Sequence, residues 1–347
     1  MTSDIVAILA IDGVATGAIY VLVAIGTVLI FSVTRVIYIP FGDIAAFTVL
    51  TLAAIETGQV PGTIGLVVAL ACLATLIEVA GLLRGARYRE IPRALMMYLV
   101  LPLLIVGVTW LALTLNLPMP LEILTALALM VPVAPLLDRI VFRPIADASV
   151  LLLLIVSMAL HFALVGLGLL FFGPEGVRTQ PLTAMSLVIG PIQLSGQSLI
   201  IVFAALMLSA ALFMLFDYTM LGKSLRATAM NRTGARLMGI EPARAGTIAY
   251  IVGSVLAGVS GILIAPVNTI FYDSGFLLGL KAFVGAIIGG LASYPATALG
   301  AVLVGVLESF ASFQSSALKD VIVFSLLIPI LLWRSINYSH SEEGAEE

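Results

Sequence analysis

Four ionisable residues, Asp43, Glu78, Lys281 and Glu308, stand within stretches of sequence that are otherwise apolar. Ionisable side chains are expensive at membrane depth, so each is a candidate for a solute path or for a proton or ion relay. The alternative for each residue is a buried polar contact between two helices. Both interpretations are open on the sequence alone.

The two histidines do not indicate a metal or catalytic centre. His161 lies within an apolar run and His340 lies in the acidic C-terminal segment. Neither has Cys, Asp or Glu neighbours at the spacing of metal ligands, so no metal site and no catalytic set are predicted. His161 is interpreted as a hydrogen-bonded core residue. The single cysteine, Cys72, excludes an internal disulfide.

The tripeptide Gly222-Lys223-Ser224 is like the end of a phosphate-binding loop, but its surroundings do not fit that motif. The motif needs a glycine where Asp217 stands, and a strand where this chain has a long apolar run. The sequence therefore predicts no nucleotide site here. If ATP powers the protein, another chain must bind it.

The composition places these residues in a membrane protein. Hydrophobic residues make up 61% of the chain and charged residues only 10%, and the mean hydropathy is +1.20. These values lie far outside the range of soluble domains. No polar block is long enough for a separate soluble domain, so we expect one transmembrane domain over residues 1–337, followed by an acidic cytosolic tail over residues 338–347.

The apolar runs predict an all-α polytopic bundle. About 20 apolar residues make one crossing, and nine runs have roughly this length. Two shorter runs, 41–56 and 278–292, are expected to be broken or re-entrant helices, which gives about 9 to 11 membrane helices in all. The nine longer runs are 5–33, 61–83, 94–115, 121–137, 148–172, 198–217, 247–266, 297–313 and 319–333.

Small residues and turn residues predict how some of these elements pack and connect. Gly13 and Gly17, and likewise Gly253, Ala257 and Gly261, recur at four-residue intervals, which lets helix backbones approach closely. The segment 172–197 carries turn residues around short β-prone pieces. It is either a simple connector or a cap over a pore mouth that touches a soluble binding protein.

The basic residues predict the orientation. If all eleven segments cross and the N-terminus is outside, 13 of the 16 basic residues fall on the cytosolic side. This asymmetry is the usual one for membrane proteins, so we expect the C-terminus in the cytosol. The cytosolic set is Arg35, Arg84, Arg87, Arg89, Arg93, Arg139, Arg143, Lys223, Arg226, Arg232, Arg236, Arg244 and Arg334.

The loop from Gly222 to Gly246 carries five of those basic residues between two runs that are long enough to cross a bilayer. Leu225, Ala229 and Leu237 recur at roughly helical spacing, which predicts one or two short amphipathic helices. Such helices either lie along the membrane surface or offer a face to a partner. Taken alone, the loop is better explained as an orientation signal that keeps it in the cytosol.

The loop resembles the cytoplasmic loop of permease subunits in the branched-chain amino acid ABC importer family (LivH-like). The shared features are Gly-Lys-Ser-Leu-Arg-Ala from Gly222, and Ala-Arg-Leu-Met-Gly-Ile from Ala235. In that family the loop carries a Glu-Ala-Ala…Gly signature that docks into a cleft on a separate ATPase. Here Thr233 and Gly234 replace the Glu and the first Ala. The resemblance implies an ATPase-coupling role for Arg226, Arg232, Thr233, Ala235, Arg236 and Gly239, with Ala235 and Gly239 one helical turn apart.

The resemblance covers most of residues 13–56 and 138–333, but residues 84–120 do not match. The family usually has Asn-Phe-Ala-His-Gly and then an acid where this chain has Tyr38-Ile39-Pro40-Phe41-Gly42-Asp43. Pro40 and Gly42 would interrupt a helix and expose its backbone to a pore. The resemblance implies a substrate path there, and the rings favour a less polar or aromatic solute. Candidates for the path are Tyr38, Phe41, Gly42, Asp43, Glu78, Lys281 and Glu308.

The function implied by the resemblance is that of a permease subunit, not an enzyme, in the inner membrane of a bacterium. It would import a branched-chain amino acid or a related small carboxylate. Its expected partners are a second permease (LivM-like), two cytosolic ATPases that bind ATP and Mg, an external solute-binding protein and the lipid bilayer. No cofactor in this chain and no nucleic-acid partner are expected. The alternatives are an aromatic acid or amide-type solute, or a self-contained secondary transporter that uses Glu78, Lys281 and Glu308 as a relay.

Overall fold

The computed structural model describes residues 3–115, 117–183, 185–189, 192–291, 293–316 and 318–338. The acidic tail beyond Tyr338, with His340, lies outside the described residues. The described chain forms a bundle of helices with one small antiparallel hairpin, β1 (Ser186–Ile189) and β2 (Ile192–Ser195). The predicted all-α polytopic class is thereby confirmed.

The described residues contain thirteen helices. In chain order they are α1 (Ser3–Thr34), α2 (Phe41–Glu56), α3 (Thr63–Arg84), α4 (Tyr88–Thr114), α5 (Met119–Ile145), α6 (Val150–Phe172), α7 (Gly196–Tyr218), α8 (Met220–Met230), α9 (Arg232–Leu237), α10 (Pro242–Ile264), α11 (Ser274–Ile288), α12 (Tyr294–Gln314) and α13 (Lys319–Tyr338).

Eight of these helices are long and apolar enough to cross a membrane, judged by length and composition: α1, α3, α4, α5, α6, α7, α10 and α12. The chain is therefore a multi-pass membrane protein. Each of the eleven predicted segments is helical, and the two short runs correspond to α2 and α11. The helix at 94–115 begins earlier than predicted, at Tyr88, because a short 3₁₀ turn leads into it.

Helix α1 is the centre of the bundle. Of its most apolar stretch 83% is buried, against 22% for the outer helices α4, α6 and α7. Gly13 and Gly17 bring α1 directly onto α12, since a methyl group at Gly17 would lie 2.7 Å from the Val302 Cα atom. On the α12 side, a methyl group at Gly305 would lie only 2.2 Å from the Gly17 nitrogen. Small residues thus permit this close approach.

The two short helices begin side by side within the bundle. After α1 ends at Thr34, an irregular segment leads to α2, of which 13 of 16 residues are buried. A methyl group at Gly42 would lie 1.9 Å from the Gly275 carbonyl oxygen, so the first turns of α2 and α11 touch through backbone alone. Only glycine fits at such a contact. The positive ends of both helix dipoles therefore meet at this point.

The hairpin stands at one end of the bundle, between α6 and α7. Its register pairs Ser186 with Ser195 and Ile189 with Ile192, and the predicted β-prone pieces are confirmed as strands. A cavity of 670 Å³, which we call the hairpin cavity, lies between this element and the starts of α1 and α7. Contact with a binding protein at this end stays a prediction.

Candidate functional site

A cavity of 200 Å³ lies in the middle of the bundle, and we call it the central cavity. The entry to α2 and the helices α1, α6 and α11 enclose it, and its walls are almost entirely apolar. Such a cavity suits a small solute with an apolar side chain. The lining residues are Thr27, Ile37, Tyr38, Ile39, Phe41, Leu154, Met158, Phe276, Gly279, Leu280 and Phe283. Two predicted path residues, Tyr38 and Phe41, are among them.

A buried ion pair adjoins the central cavity. The His161 Nδ1 atom lies 2.7 Å from Asp43 Oδ2, and both side chains are almost fully buried. An ionised carboxylate only accepts hydrogen bonds, so opposite an ionised Asp43 the Nδ1 atom is the donor. The His161 ring also stacks on Phe276, a lining residue, with ring centroids 4.9 Å apart. The prediction that His161 is a hydrogen-bonded core residue is confirmed.

Three aromatic rings pack together beside the central cavity, and one of them, Tyr38, lines it. Tyr38 meets Tyr250 edge-on with centroids 5.1 Å apart, and meets Phe142 edge-on at 5.8 Å. We call these three residues the aromatic layer. All three side chains are fully buried. Edge-to-face packing of this kind is favourable beyond the area that it buries, so the layer forms a closed partition.

A second cavity, of 380 Å³, begins on the other side of the aromatic layer, and we call it the charged cavity. Phe142 lines it, while Tyr38 lines the central cavity, so the aromatic layer contributes to the walls of both spaces. Its ionisable lining residues are Glu78, Asp138, Arg139, Arg143, Asp147, Arg232 and Arg236. The ends of α1, α3 and α5 and the start of α10 meet here.

Glu78 therefore lies at the charged cavity, where it forms an ion pair with Arg139. A neighbouring arginine, Arg143, makes further contacts. It bonds Asp138 at 3.2 Å and donates to the Ala243 carbonyl oxygen at 3.1 Å. It also reaches the Tyr98 hydroxyl at 3.3 Å. Arg143 thus links α5 to α10, and Tyr98 of α4 attaches to it.

Lys281 and Glu308 lie in a separate buried network that joins α1, α11, α12 and α13. The Lys281 ammonium is 2.5 Å from Glu308 and 2.8 Å from Asp320. The Tyr20 hydroxyl donates to the second Glu308 oxygen at 2.5 Å. Among the described residues that line the central and charged cavities, neither Lys281 nor Glu308 occurs. Their geometry is that of a paired contact between helices.

The basic loop folds as two short helices, α8 and α9. Thr219 caps α8 by accepting a hydrogen bond from the Gly222 nitrogen at 3.0 Å. Leu225 and Thr228 are buried, whereas Lys223 and Arg226 are exposed. Helix α8 is thus amphipathic, as predicted.

Helix α9 attaches the loop to the end of α1. Asn231 caps α9 by accepting from the Gly234 nitrogen at 2.8 Å, and the Arg232 guanidinium reaches the Thr34 carbonyl oxygen at 3.4 Å. Partial burial, together with the positive charges of Arg35 and Arg236, lowers the pKa of Arg232. That shift indicates a crowded, partly desolvated cation at the junction between the loop and the bundle.

One prediction for this loop is wrong: Ala235 and Gly239 do not share a helical face. Helix α9 ends at Leu237, and Gly239 follows it with a left-handed backbone, φ +79°. The Ile240 nitrogen bonds the Ala235 carbonyl at 2.9 Å, which closes a glycine-terminated helix end. Ala235 is consequently buried, while Gly239 is exposed. Leu237 and Met238 project outward, 84% and 82% exposed.

Comparison with known proteins identifies the family. Residues 9–331 match the family of the branched-chain amino acid transport system, permease component. The chain belongs to this family. The high-affinity branched-chain amino acid transport system permease protein LivH of Salmonella typhimurium is 29% identical over 206 residues, which cover 56% of this chain and 66% of LivH. The protein BraD of Pseudomonas aeruginosa is 28% identical over 205 residues, covering 57% and 67%.

A more distant relative is the probable branched-chain amino acid transport permease protein LivH of Methanocaldococcus jannaschii, 30% identical over 111 residues, or 32% of this chain and 35% of that protein. No solved structure matches the chain. The matched part amounts to slightly less than two thirds of the Salmonella LivH. The family relationship confirms the resemblance that the basic loop and the Tyr38 to Asp43 segment indicated.

Sequence reasoning missed two members of the aromatic layer and the partner of Asp43. Tyr250 stands in an apolar run, where an aromatic ring is expected in any helix core, and Phe142 stands in a short segment between Arg139 and Arg143. His161 is separated from Asp43 by 118 positions, so no local spacing connects them. One signal was present in the sequence: an acid and an imidazole within apolar runs are both costly unless they pair.

Proposed function

We propose that this chain is the permease subunit of an ABC importer that moves a branched-chain amino acid or a related small carboxylate into the cytoplasm. It would pair with a second permease, two cytosolic ATPases and an external solute-binding protein. The observation that carries the proposal is the apolar central cavity, which lies beside the buried pair of His161 and Asp43 and is lined by Tyr38 of the aromatic layer. The names of the relatives support the solute class.

The exposed end of α9 supports docking of an ATPase. Leu237 and Met238 form an apolar tip beside the exposed Arg236. Exposed apolar patches of this kind commonly mark interaction sites, and methionine suits a surface that must adapt to a partner. ATPase closure would push on this tip. The push would reach the end of α1 through the contact between Arg232 and the Thr34 carbonyl oxygen.

The distribution of charge supports the orientation that import requires. The ends of α1, α3 and α5 meet the basic loop at the charged cavity, so this end would face the cytosol. The hairpin and its cavity would then face outward, where a binding protein delivers the solute. A bacterial inner membrane is the corresponding location.

An aromatic acid is the second candidate solute, and the cavity walls favour it. Tyr38, Phe41, Phe276 and Phe283 line the central cavity. Rings prefer offset or edge contacts with other rings, which adds roughly 0.5 to 1.5 kcal/mol per pair. That energy corresponds to at most about tenfold in preference, so either solute class is compatible with this lining.

Copurification from native membranes tests the proposal. A tagged chain should bring down an ATPase and a second permease. The double substitution Leu237→Asp, Met238→Asp should abolish recovery of the ATPase while the protein still inserts. Met185→Asp, which alters an exposed residue near the hairpin, is the matched control and should leave recovery unchanged. Recovery of the chain with no ATPase would contradict the proposal.

A further inference from the structure

Only one of the two Asp43 carboxylate oxygens has a hydrogen-bond partner among the described residues. Its Oδ2 atom accepts the hydrogen bond from His161, whereas its Oδ1 atom is buried and has no hydrogen-bond donor among the described residues. The Asp43 side chain is 1% exposed. A buried polar atom without a partner costs free energy, and in a native structure such an atom calls for an explanation.

Asp43 and His161 are not among the residues that line the central cavity, but their neighbours on α2, α6 and α11 are. Phe41, two residues earlier on α2, lines the cavity, and so does Phe276, on which the His161 ring stacks. Leu154 and Met158 of α6 also line it. His161 follows them at spacings of seven and three residues, and therefore continues the same face of the helix. The pair of His161 and Asp43 thus lies next to the apolar wall of the central cavity.

The unpaired Asp43 oxygen favours a cationic group on the solute. A carboxylate oxygen accepts hydrogen bonds and attracts positive charge, and a solute ammonium supplies both. The apolar walls, in contrast, suit the aliphatic or aromatic side chain of the same molecule. We propose that Asp43, held in place by His161, binds the α-ammonium group of an amino acid whose side chain occupies the central cavity.

This inference rests on the proposed function and narrows it to solutes that carry a primary ammonium. His161 is a positioning residue, because it bonds the oxygen that the solute does not use. The first turns of α2 and α11 meet at Gly42 and Gly275, beside Asp43. The positive ends of both helix dipoles therefore lie near this carboxyl group.

Ligand-induced thermal stabilisation of the purified full chain in lipid nanodiscs tests the proposal. A ligand that binds only the folded state raises the melting temperature. Three probes separate the chemical groups: L-leucine, 3-methylbutan-1-amine, which keeps the ammonium, and 4-methylpentanoate, which keeps the carboxylate. We expect stabilisation by the first two probes and none by the third. Equal stabilisation by 4-methylpentanoate, or none by L-leucine or the amine at millimolar concentration, would overturn the site.

Two variants then locate the binding. Asp43→Asn keeps the shape of the side chain but removes its charge, and should weaken binding of L-leucine and of the amine at least about tenfold. Leu280→Trp fills the cavity without touching the ion pair, and should also weaken binding of L-leucine. Glu122→Gln, a carboxylate outside the cavity wall, is the matched control for charge removal. Unchanged affinity in Asp43→Asn would refute the role of this residue.

Copurification and ligand stabilisation together distinguish failure of the importer assignment from failure of the ammonium site. If the ATPase copurifies but leucine does not stabilise the chain, the importer assignment stands and the ammonium site fails. If leucine stabilises the chain and no ATPase copurifies, the site stands and the importer assignment fails.

Discussion

The contact between the first turns of α2 and α11 can be tested with one methyl group. In Gly42→Ala the new Cβ atom would lie 1.9 Å from the Gly275 carbonyl oxygen and 2.9 Å from the Gly279 nitrogen. Both obstacles are backbone atoms of α11, which cannot rotate away as a flexible side chain would. Relief to 3.0 Å, the shortest separation that real Cβ atoms show, requires the two helices to part by about 1 Å.

The energetic cost of that separation follows from the close packing of protein interiors. Forcing an extra methyl group into a well-packed site typically costs about 1 to 3 kcal/mol. The matched control is Gly65→Ala, in the first turn of α3, where the new methyl group would meet nothing within 4 Å. There the substitution should be neutral or stabilising by up to about 1 kcal/mol. We expect the two variants to differ by about 1 to 4 kcal/mol.

Thermal unfolding of both variants in lipid nanodiscs measures this difference, and uptake by cells that carry each variant measures its consequence. Gly42→Ala should lower the melting temperature and reduce uptake, because the shifted helix starts flank Asp43 and Phe41. Gly65→Ala should leave the melting temperature and the uptake undiminished. Equal melting temperatures for the two variants would refute the tight backbone contact on which the description of the site depends.

Three further predictions concern coupling, energy source and selectivity. Gly239→Asp should uncouple ATP hydrolysis from uptake, because it strains the helix end that presents Leu237. The control is Gly58→Asp, which is also at positive φ with open space around it and should leave coupling intact. Normal uptake by Gly239→Asp would count against docking at this helix end. The purified chain in proteoliposomes should accumulate no solute under any ion gradient, and accumulation would favour a secondary transporter. Replacing Tyr38 with Asn and Phe41 with His should shift relative uptake towards small aliphatic amino acids by a factor of a few, and an unchanged ratio would remove both rings from the path.

Much of the fold could be predicted from the sequence because membrane helices are recognisable by their length and apolar composition. The run 41–56 coincides with α2, and its flanking Pro40 and Gly42 signal an interrupted helix. The convergence of α2 with α11 could not be predicted, because it depends on a contact between Gly42 and Gly275. A glycine within a helix gives no indication of which backbone will approach it.

The candidate site was predictable in part, for a similar reason. The sequence singled out Asp43, Glu78, Lys281 and Glu308 by the cost of burying charge, and each of them forms an ion pair in the structure. Which pairs adjoin a cavity depends on helix rotation within the bundle. Apolarity on all sides of a membrane helix leaves that rotation undetermined, since no polar face marks the outside.

The aromatic layer beside the central cavity contains a buried polar group. The Tyr38 hydroxyl group is buried without a hydrogen-bond partner among the described residues, and this unpaired group raises the free energy of the present arrangement. The charged cavity just beyond offers polar partners to a tyrosine that swings into it. Tyr38 stands four residues after Thr34, whose carbonyl oxygen Arg232 contacts, and Arg35 between them holds a left-handed backbone at φ +63°. A strained backbone of this kind favours a switch. Movement of α9 would therefore act first on the segment from Arg35 to Tyr38, which carries one ring of the aromatic layer.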